Sequence, residues 1–366
     1  MRIVLFGATG YTGRLTAHAL VRRGAEPVLA GRDPQRLHAL ATEAGGAGEI
    51  VVADSSDEGS VRGLVKPGDV LVSTVGPFTR LGRPAAWAAV GAGATYLDST
   101  GEAAFVRWLL DEVDAPARRA GATLAPAFGY DYVPGNLAAE MALRRAPEAT
   151  HVRVGYFLQG SGGPSGGTLA SGAGMVIDPA YAWRGGRLVP DHLASRMTRF
   201  DLDGRSRQAV SLAGSEHLWL PRRHEGLVDV GVYLGWAGRR SRLAQVGSTA
   251  VHALTTLPGG RALAQAVAQR VVRGSTGGPD ADARARFRTR VVAEAALPGR
   301  GPLARVVLDG PNPYDLTAEL LAWGATRATS RTPEKTGVVG PADLFGYDEL
   351  ETACAEVGLR PIEEAV

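Results

Sequence analysis

The sequence predicts an α/β chain that opens with a doubly wound parallel sheet, and three observations predict it. Six short apolar runs alternate with helical stretches over the first 130 residues, the runs are apolar on both faces, and polar or glycine-bearing loops follow them. Strands covered by helices on both sides read as continuous apolar runs, whereas a strand with one wet face alternates. Strands are expected at residues 2–6, 27–30, 49–53, 69–74, 95–97 and 123–125, with helices at 12–23, 34–44, 56–64, 83–92 and 103–120. A sheet of this kind binds ligands outside the carboxyl ends of its strands. The loops at those ends are where chemistry is sought.

The first strand runs into Gly7-Ala8-Thr9-Gly10-Tyr11-Thr12-Gly13. A dinucleotide site needs a tight turn, bare backbone beside the pyrophosphate and close packing of helix on strand, and Gly7, Gly10 and Gly13 can serve these needs in order. The helix opening near Tyr11 would aim its free N–H groups and positive end at phosphate, with Thr9, Tyr11 and Thr12 completing the cofactor loop. An ordinary tight turn is the competing reading. The G-x-x-G-x-x-G spacing is common among folds that prefer NADP. The second strand ends in Ala30-Gly31-Arg32-Asp33. An acid there holds the ribose of NAD and an arginine the 2′-phosphate of NADP, so Arg32 predicts NADP(H); Asp33 is the rival sensor, or a helix cap before Pro34. Asp54, after the third strand, is a candidate for the adenine amine. Gly76 and Pro77, after the fourth, turn the chain away and leave backbone towards the nicotinamide. The loops after the fourth, fifth and sixth strands fall on the same rim, with the alternative that Ser99 or Thr100 only caps the helix near Glu102.

Composition bounds the rest. The 366 residues suit two domains, and 45% hydrophobic with 21% charged residues excludes a disordered chain. A net charge of +3 does not favour a nucleic-acid partner. No apolar run reaches the eighteen or so residues of a membrane span, and the first strand flows straight into a glycine turn, so a cytoplasmic chain without an integral membrane segment is expected. The single cysteine, Cys354, excludes a disulfide framework and reads as a core residue. The seven histidines show no ligand spacing, and Pro221 between His217 and His224 argues against one helical face, so no metal is expected.

The segments GATGYTG, AGR, VGPF, LDSTGE and GYDYVPGN, in this order and spacing, resemble the saccharopine dehydrogenase-like family. That family includes saccharopine reductases and the trans-acting enoyl reductases of mycobacterial lipid synthesis, and the likeness leans to the second branch. It is strongest over the first 140 residues and continues more loosely through GGTLASGAG at 166–174. It implies a Rossmann domain binding NADP(H) over 1–130, an α+β substrate or dimerisation domain over 131–313 inserted before the C-terminal helices, and helices over 314–366 that return to the first domain. On this resemblance Gly7, Gly10, Gly13 and Arg32 fall on cofactor positions, with Gly76 and Pro77 beside the nicotinamide. The implied activity is NADPH-dependent reduction of an activated C=C bond. The implied partners are a small-molecule or carrier-bound acyl substrate, an acyl carrier protein and a second copy of the chain.

Beyond residue 150 strands are expected at 151–158 and 227–236, and helices at 314–329 and 344–357. The glycine-dense stretch 160–174 reads either as a flexible linker or as a helix over 168–176 whose start faces the cofactor cleft. Arg284, Arg286, Arg288 and Arg290 alternate with uncharged residues, which would put four guanidinium groups on one strand face. Such a face is either a docking patch for an acidic carrier or is paired with acids on neighbouring strands.

The chain has only two lysines, Lys66 and Lys335, each with arginine four places earlier, so no Y-x-x-x-K exists. The tyrosine–lysine mechanism of short-chain dehydrogenases is thereby excluded. What remains is hydride chemistry carried by the cofactor, with a proton donor supplied by the protein. Tyr130 and Asp131, after the sixth strand, are the first candidates, with Tyr132, Asp98 and Glu102 behind them. The alternatives are C=N reduction of imine or amino-acid type, and a non-catalytic NADP-binding interaction protein.

Overall fold

The computed structural model describes residues 1–46, 48–160, 165–236, 238, 241–260, 262–264, 266 and 277–362. Its first sheet is built from β1 (Ile3–Phe6), β2 (Val28–Gly31), β3 (Ile50–Val52), β4 (Val70–Ser73), β5 (Thr95–Asp98) and β6 (Thr123–Ala125). These run in the order β3-β2-β1-β4-β5-β6, every pair parallel. The central strands β1, β2, β4 and β5 are buried along their whole length, as their unbroken apolar character predicts. Between them lie α1 (Tyr11–Arg22), α2 (Pro34–Ala44), α3 (Glu58–Arg62), α4 (Phe78–Leu81), α5 (Arg83–Ala92), α6 (Ala103–Trp108) and α7 (Asp114–Ala120). Two helices differ from expectation. The third starts later, because the Asp57 side chain caps the N–H groups of Gly59 and Ser60. The helix expected over 103–120 is divided by a π-helical turn at Leu109–Val113, just before Pro116, which has no N–H to continue the ladder.

The second sheet is mixed. It uses β7 (His151–Gly160), β8 (Ala180–Arg184), β9 (Arg187–Asp191), β10 (Met197–Leu202), β11 (Arg205–Ser211), β12 (Asp229–Leu234), β13 (Phe287–Ala296) and β14 (Pro302–Gly310). Only β12 and β7 pair in parallel. With these go α8 (Val133–Arg145), α9 (Gly166–Ile177), α10 (Glu216–Arg223), α11 (Ser241–Thr255) and α12 (Ala281–Ala285). The last segment supplies α13 (Pro313–Ser330), β15 (Gly337–Val338), α14 (Pro341–Leu344), α15 (Tyr347–Glu356) and β16 (Arg360–Pro361). It serves both sheets: α13 packs on α1, β15 adds a seventh parallel strand beside β6, and β16 pairs with β14. One apolar core runs through both, from Leu5 and Val72 by way of Phe128, Tyr130 and Tyr132 to Tyr156 and Val291. Cys354 is buried in it. No described helix is long and apolar enough to cross a membrane.

Three readings of the second half are corrected or decided. The glycine-dense stretch enters a helix, α9, whose start is capped by Ser165. The four arginines do not share a strand, because Arg284 lies in α12 and the strand begins only at Phe287. Three of them are paired: Arg284 with Asp315 (2.8 Å), Arg288 with Asp309 (2.6 Å) and Arg290 with Asp203 (2.5 Å). The acids of neighbouring elements leave no four-arginine docking face. Pro221 sits inside α10, with His217 buried on that helix and His224 closing it.

Helix α10 is tied to α8 by Glu140, whose carboxylate is 4% exposed and accepts from Arg223 and, at 2.8 Å, from His224. Burial pushes this carboxyl up, but the bonds from His224 and Arg223 outweigh it and hold it at about 2. A carboxyl held low stabilises the fold above its ordinary pKa and loses that contribution as the pH falls through the folded value. Glu140→Ala is therefore expected to cost ~3 kcal/mol in urea unfolding at neutral pH. The difference from the parent chain should shrink as the pH is taken from 4.5 towards 2.

Candidate active site

The glycine loop after β1 has the geometry a dinucleotide requires. Gly7 has φ +85°, and a methyl group on it would meet Thr74 Oγ1 and Val75 at 2.8 Å. On Gly13 a methyl group would lie 2.2 Å from the Gly7 carbonyl oxygen, so the helix can approach the loop only without one. The exposed Gly10 is constrained least by the protein, an added methyl meeting only that carbonyl at 3.2 Å. Gly10 also caps α1 without a side chain, so no side chain of the cap answers the first N–H groups, including those of Tyr11 and Thr12.

At the end of β2, Asp33 spends its carboxylate on the N–H groups of Gln35 (3.0 Å) and Arg36 (3.1 Å) as the cap of α2. Arg32 is exposed and makes no side-chain hydrogen bond among the described residues. Arg36 donates to the Thr9 carbonyl at 3.1 Å, which brings a second guanidinium to the glycine loop. Sequence reasoning missed it, although its place one helical turn after Arg32 was a usable signal. Asp54 lies beyond β3 and accepts the N–H and hydroxyl of Ser56, both at 2.8 Å. Those two bonds, aided by the charge of Arg32, hold its carboxyl below the usual range.

The later loops meet on the same rim. Gly76 is exposed there, joined to Pro77 by a cis peptide. Neither Ser99 nor Thr100 caps α6; the Thr100 hydroxyl instead accepts the N–H of Glu102 at 3.0 Å. Asp98 is fully buried, and its Oδ1 takes the N–H groups of Thr100 (2.9 Å) and Ala127 (2.8 Å), stitching the loops after β5 and β6 together. Burial raises it to about 6. Glu102 accepts from the N–H of Phe78 (2.8 Å), the N–H and hydroxyl of Thr79 (2.9 and 2.7 Å) and the hydroxyl of Ser171 (2.9 Å). These four bonds fasten the loop after β4 and helix α9 to Glu102.

Asp131 is different. It accepts no hydrogen bond among the described residues, lies against the Cα of Gly101, and is raised to about 7 by burial alone. Tyr130 packs flat on Trp236 (6.2 Å) and edge-on to Tyr156 (5.4 Å), with its hydroxyl buried. Burial pushes that hydroxyl up, away from neutrality. Tyr132 donates to the Gly101 carbonyl at 2.6 Å. Behind these residues the Tyr156 hydroxyl takes the Gly135 N–H (3.0 Å) and donates to Glu216 at 2.5 Å. Burial raises the Glu216 carboxyl to about 8. This pair was invisible to the sequence, its members lying 60 positions apart. Beside Gly101 and Glu102 opens a cleft walled by Ala103, Met175, Pro179, Leu193, Leu212 and Ala213. No arginine, lysine or histidine is among the described residues that line it.

Such a construction belongs to oxidoreductases that borrow their redox chemistry from a nicotinamide dinucleotide. A family model described as NAD(P)H-binding matches residues 7–107. A Mycobacterium tuberculosis (strain H37Rv) protein provisionally named a trans-acting enoyl reductase is 32% identical over 398 residues, covering 95% of this chain and 94% of its own. The trans-acting enoyl reductase of Mycobacterium ulcerans is 40% identical over 151 residues, 40% of this chain and 36% of that one. Saccharopine dehydrogenase (L-Glu forming) from Saccharomyces cerevisiae shares the fold, with a TM-score of 0.59 over 99% of both chains at 12% identity. The chain belongs to the family of the trans-acting enoyl reductases, and its fold is that of saccharopine dehydrogenase. The contacts at Gly13 give a direct check on the cofactor loop. Gly13→Ala is expected to weaken binding of any nicotinamide dinucleotide roughly tenfold or more, by fluorescence titration, and to lower stability by ~1–3 kcal/mol.

Proposed function

We propose that this chain is an NADPH-dependent enoyl reductase, acting on the activated C=C bond of an acyl thioester carried by a small molecule or an acyl carrier protein. The observation that carries the reading is the cleft beside Gly101: alkyl side chains and carboxyl groups line it, and no cation does. An amino-acid or imine substrate of saccharopine type brings carboxylates, which need a cationic partner when taken out of water. An acyl chain needs only apolar walls. The names of the relatives agree with this choice. A cytoplasmic location accords with a diffusible cofactor and with Cys354 being unbridged.

The residues present fit the dinucleotide. Gly7, Thr9, Gly10, Tyr11, Thr12 and Gly13 would hold the pyrophosphate, Arg32 and Arg36 the 2′-phosphate, Asp54 the adenine end, and the backbone of Gly76 and Pro77 the nicotinamide. When bound, the nicotinamide would supply the hydride that the C=C bond takes up at its β-carbon. Asp131 would give its carboxyl proton to the α-carbon, where the electron pair of the double bond collects. Tyr130 closes the wall behind it and keeps water from that proton.

An acid that titrates at about 7 is present as donor below that pH and lost above it, so turnover should fall as the pH rises through 7. Asp131→Asn is expected to cut turnover of a 2-enoyl thioester by ~10²-fold or more and to flatten that alkaline limb, with NADPH affinity unchanged. Full activity in this variant would remove Asp131 from the mechanism. Arg32→Ala should weaken NADPH by roughly 10-fold to 100-fold while sparing NADH. A ratio of the two affinities that does not move would transfer the choice of cofactor to another residue. The function itself is tested by following NADPH oxidation with enoyl thioesters and NADP⁺ reduction with amino acids. Tight NADPH binding without turnover on either panel would favour an interaction protein.

A further inference from the structure

Helix α9 links Tyr314, Glu102 and the wall of the cleft. Thr168, Ser171, Met175 and Asp178 recur at helical spacing along it and on to its C-cap. At its start the Tyr314 hydroxyl accepts the Ser165 N–H (2.6 Å) and lies 3.2 Å from the Thr168 hydroxyl. The Tyr314 ring stands edge-on to Tyr11 of the glycine loop, with centroids 5.1 Å apart. At the middle, Ser171 donates to Glu102, whose remaining bonds hold Phe78 and Thr79 of the loop after β4. At the far end Met175 and Asp178 wall the cleft. The helix itself is weak: GGTLASGAGMVI contains four glycines, each worth ~1 kcal/mol less than alanine in a helix interior. Its position is therefore set by its fastenings more than by its own propensity.

We propose that Glu102 is a positioning residue that couples the nicotinamide-facing loop 76–79 to the wall of the substrate cleft through Ser171. The carboxylate is 3% exposed, so it has no water to turn to when one of its donors shifts. A dinucleotide that seats the Phe78 and Thr79 amides seats the carboxylate, then Ser171, then Met175. Cofactor binding and acyl binding thereby favour one another, and the effect is reciprocal. The inference rests on the enoyl reductase reading above.

The test is the binding of 2-octenoyl-N-acetylcysteamine to the full chain, by calorimetry, with and without saturating NADP⁺, which cannot turn over. The parent chain should bind the thioester about tenfold tighter with NADP⁺ present. Ser171→Ala should reduce that factor to under about twofold, with NADP⁺ affinity alone and the melting temperature nearly unchanged. Ser171→Thr, which keeps the hydroxyl, should restore it. Glu102→Gln, which sets an amide NH₂ among N–H and O–H donors, should lose the coupling and weaken NADP⁺ as well. Undiminished coupling in Ser171→Ala, or none in the parent chain, overturns this proposal alone. A parent chain that binds no thioester overturns the enoyl reading together with it.

Discussion

Every strand of the first sheet runs in one direction, so every loop that follows a strand arrives on one rim, and the rest of the molecule is arranged around that rim. The strand order reverses between β1 and β4, where the crossovers leave in opposite directions and open a crevice. The glycine loop lies on one side of it and the Gly76–Pro77 turn on the other. A rim of free loop ends cannot be left as bare polar backbone if it is to exclude water. The second sheet, α8 and α9 cover it, and the apolar core passes without a break from one sheet to the other. The carboxyl groups Asp98, Glu102 and Glu216 are thus buried, while Gly10, Arg32 and Gly76 stay exposed at the mouth.

That burial sets the electrostatics. Asp98, Asp131 and Glu216 are raised to about 6, 7 and 8, and in each case desolvation is the largest cause. Each would lose its proton near pH 4 in the unfolded chain and keeps it longer in the folded one. These groups therefore withdraw stability as the pH rises from the ordinary carboxyl range towards their folded values, opposite in sign to Glu140. Glu102 is buried on the same rim, where four donors meet it.

Much of this was legible in the sequence, for reasons that are local. A glycine turn between a buried strand and a helix has few other uses, and the run of strands and helices over 1–130 appears with the parallel pairing expected. Asp33 as a cap and Asp131 beside a cleft could be named because their loops follow strands directly. The failures are those that need tertiary partners. Period two at Arg284–Arg290 resembles a strand, but α12 intrudes and acids from distant elements pair with three of the arginines. The Tyr156–Glu216 bond and the Glu102–Ser171 bond join residues 60 and 69 positions apart, and no spacing rule reaches across such distances. The choice between linker and helix at α9 was undecidable from composition, since its glycines argue against a helix that its partners nevertheless hold.

The scarcity of lysine ties these threads together. A tyrosine becomes a usable acid near neutrality when an adjacent ammonium lowers its pKa, and with Lys66 and Lys335 far from the rim in sequence, no Y-x-x-x-K pair can provide one. Burial then moves tyrosine and aspartate the same way with opposite consequences. Tyr130 is driven up from 10, further from the working pH, and holds its proton too tightly to give it away. Asp131 is driven up from 3.8 to about 7, which brings it to the working pH. Proton transfer is most efficient when donor pKa and operating pH coincide. In the proposed reaction, an apolar and cation-free cleft is therefore suited both to the acyl chain and to the acid: the surroundings that accept the substrate are the ones that keep the Asp131 proton in place until the α-carbon can take it.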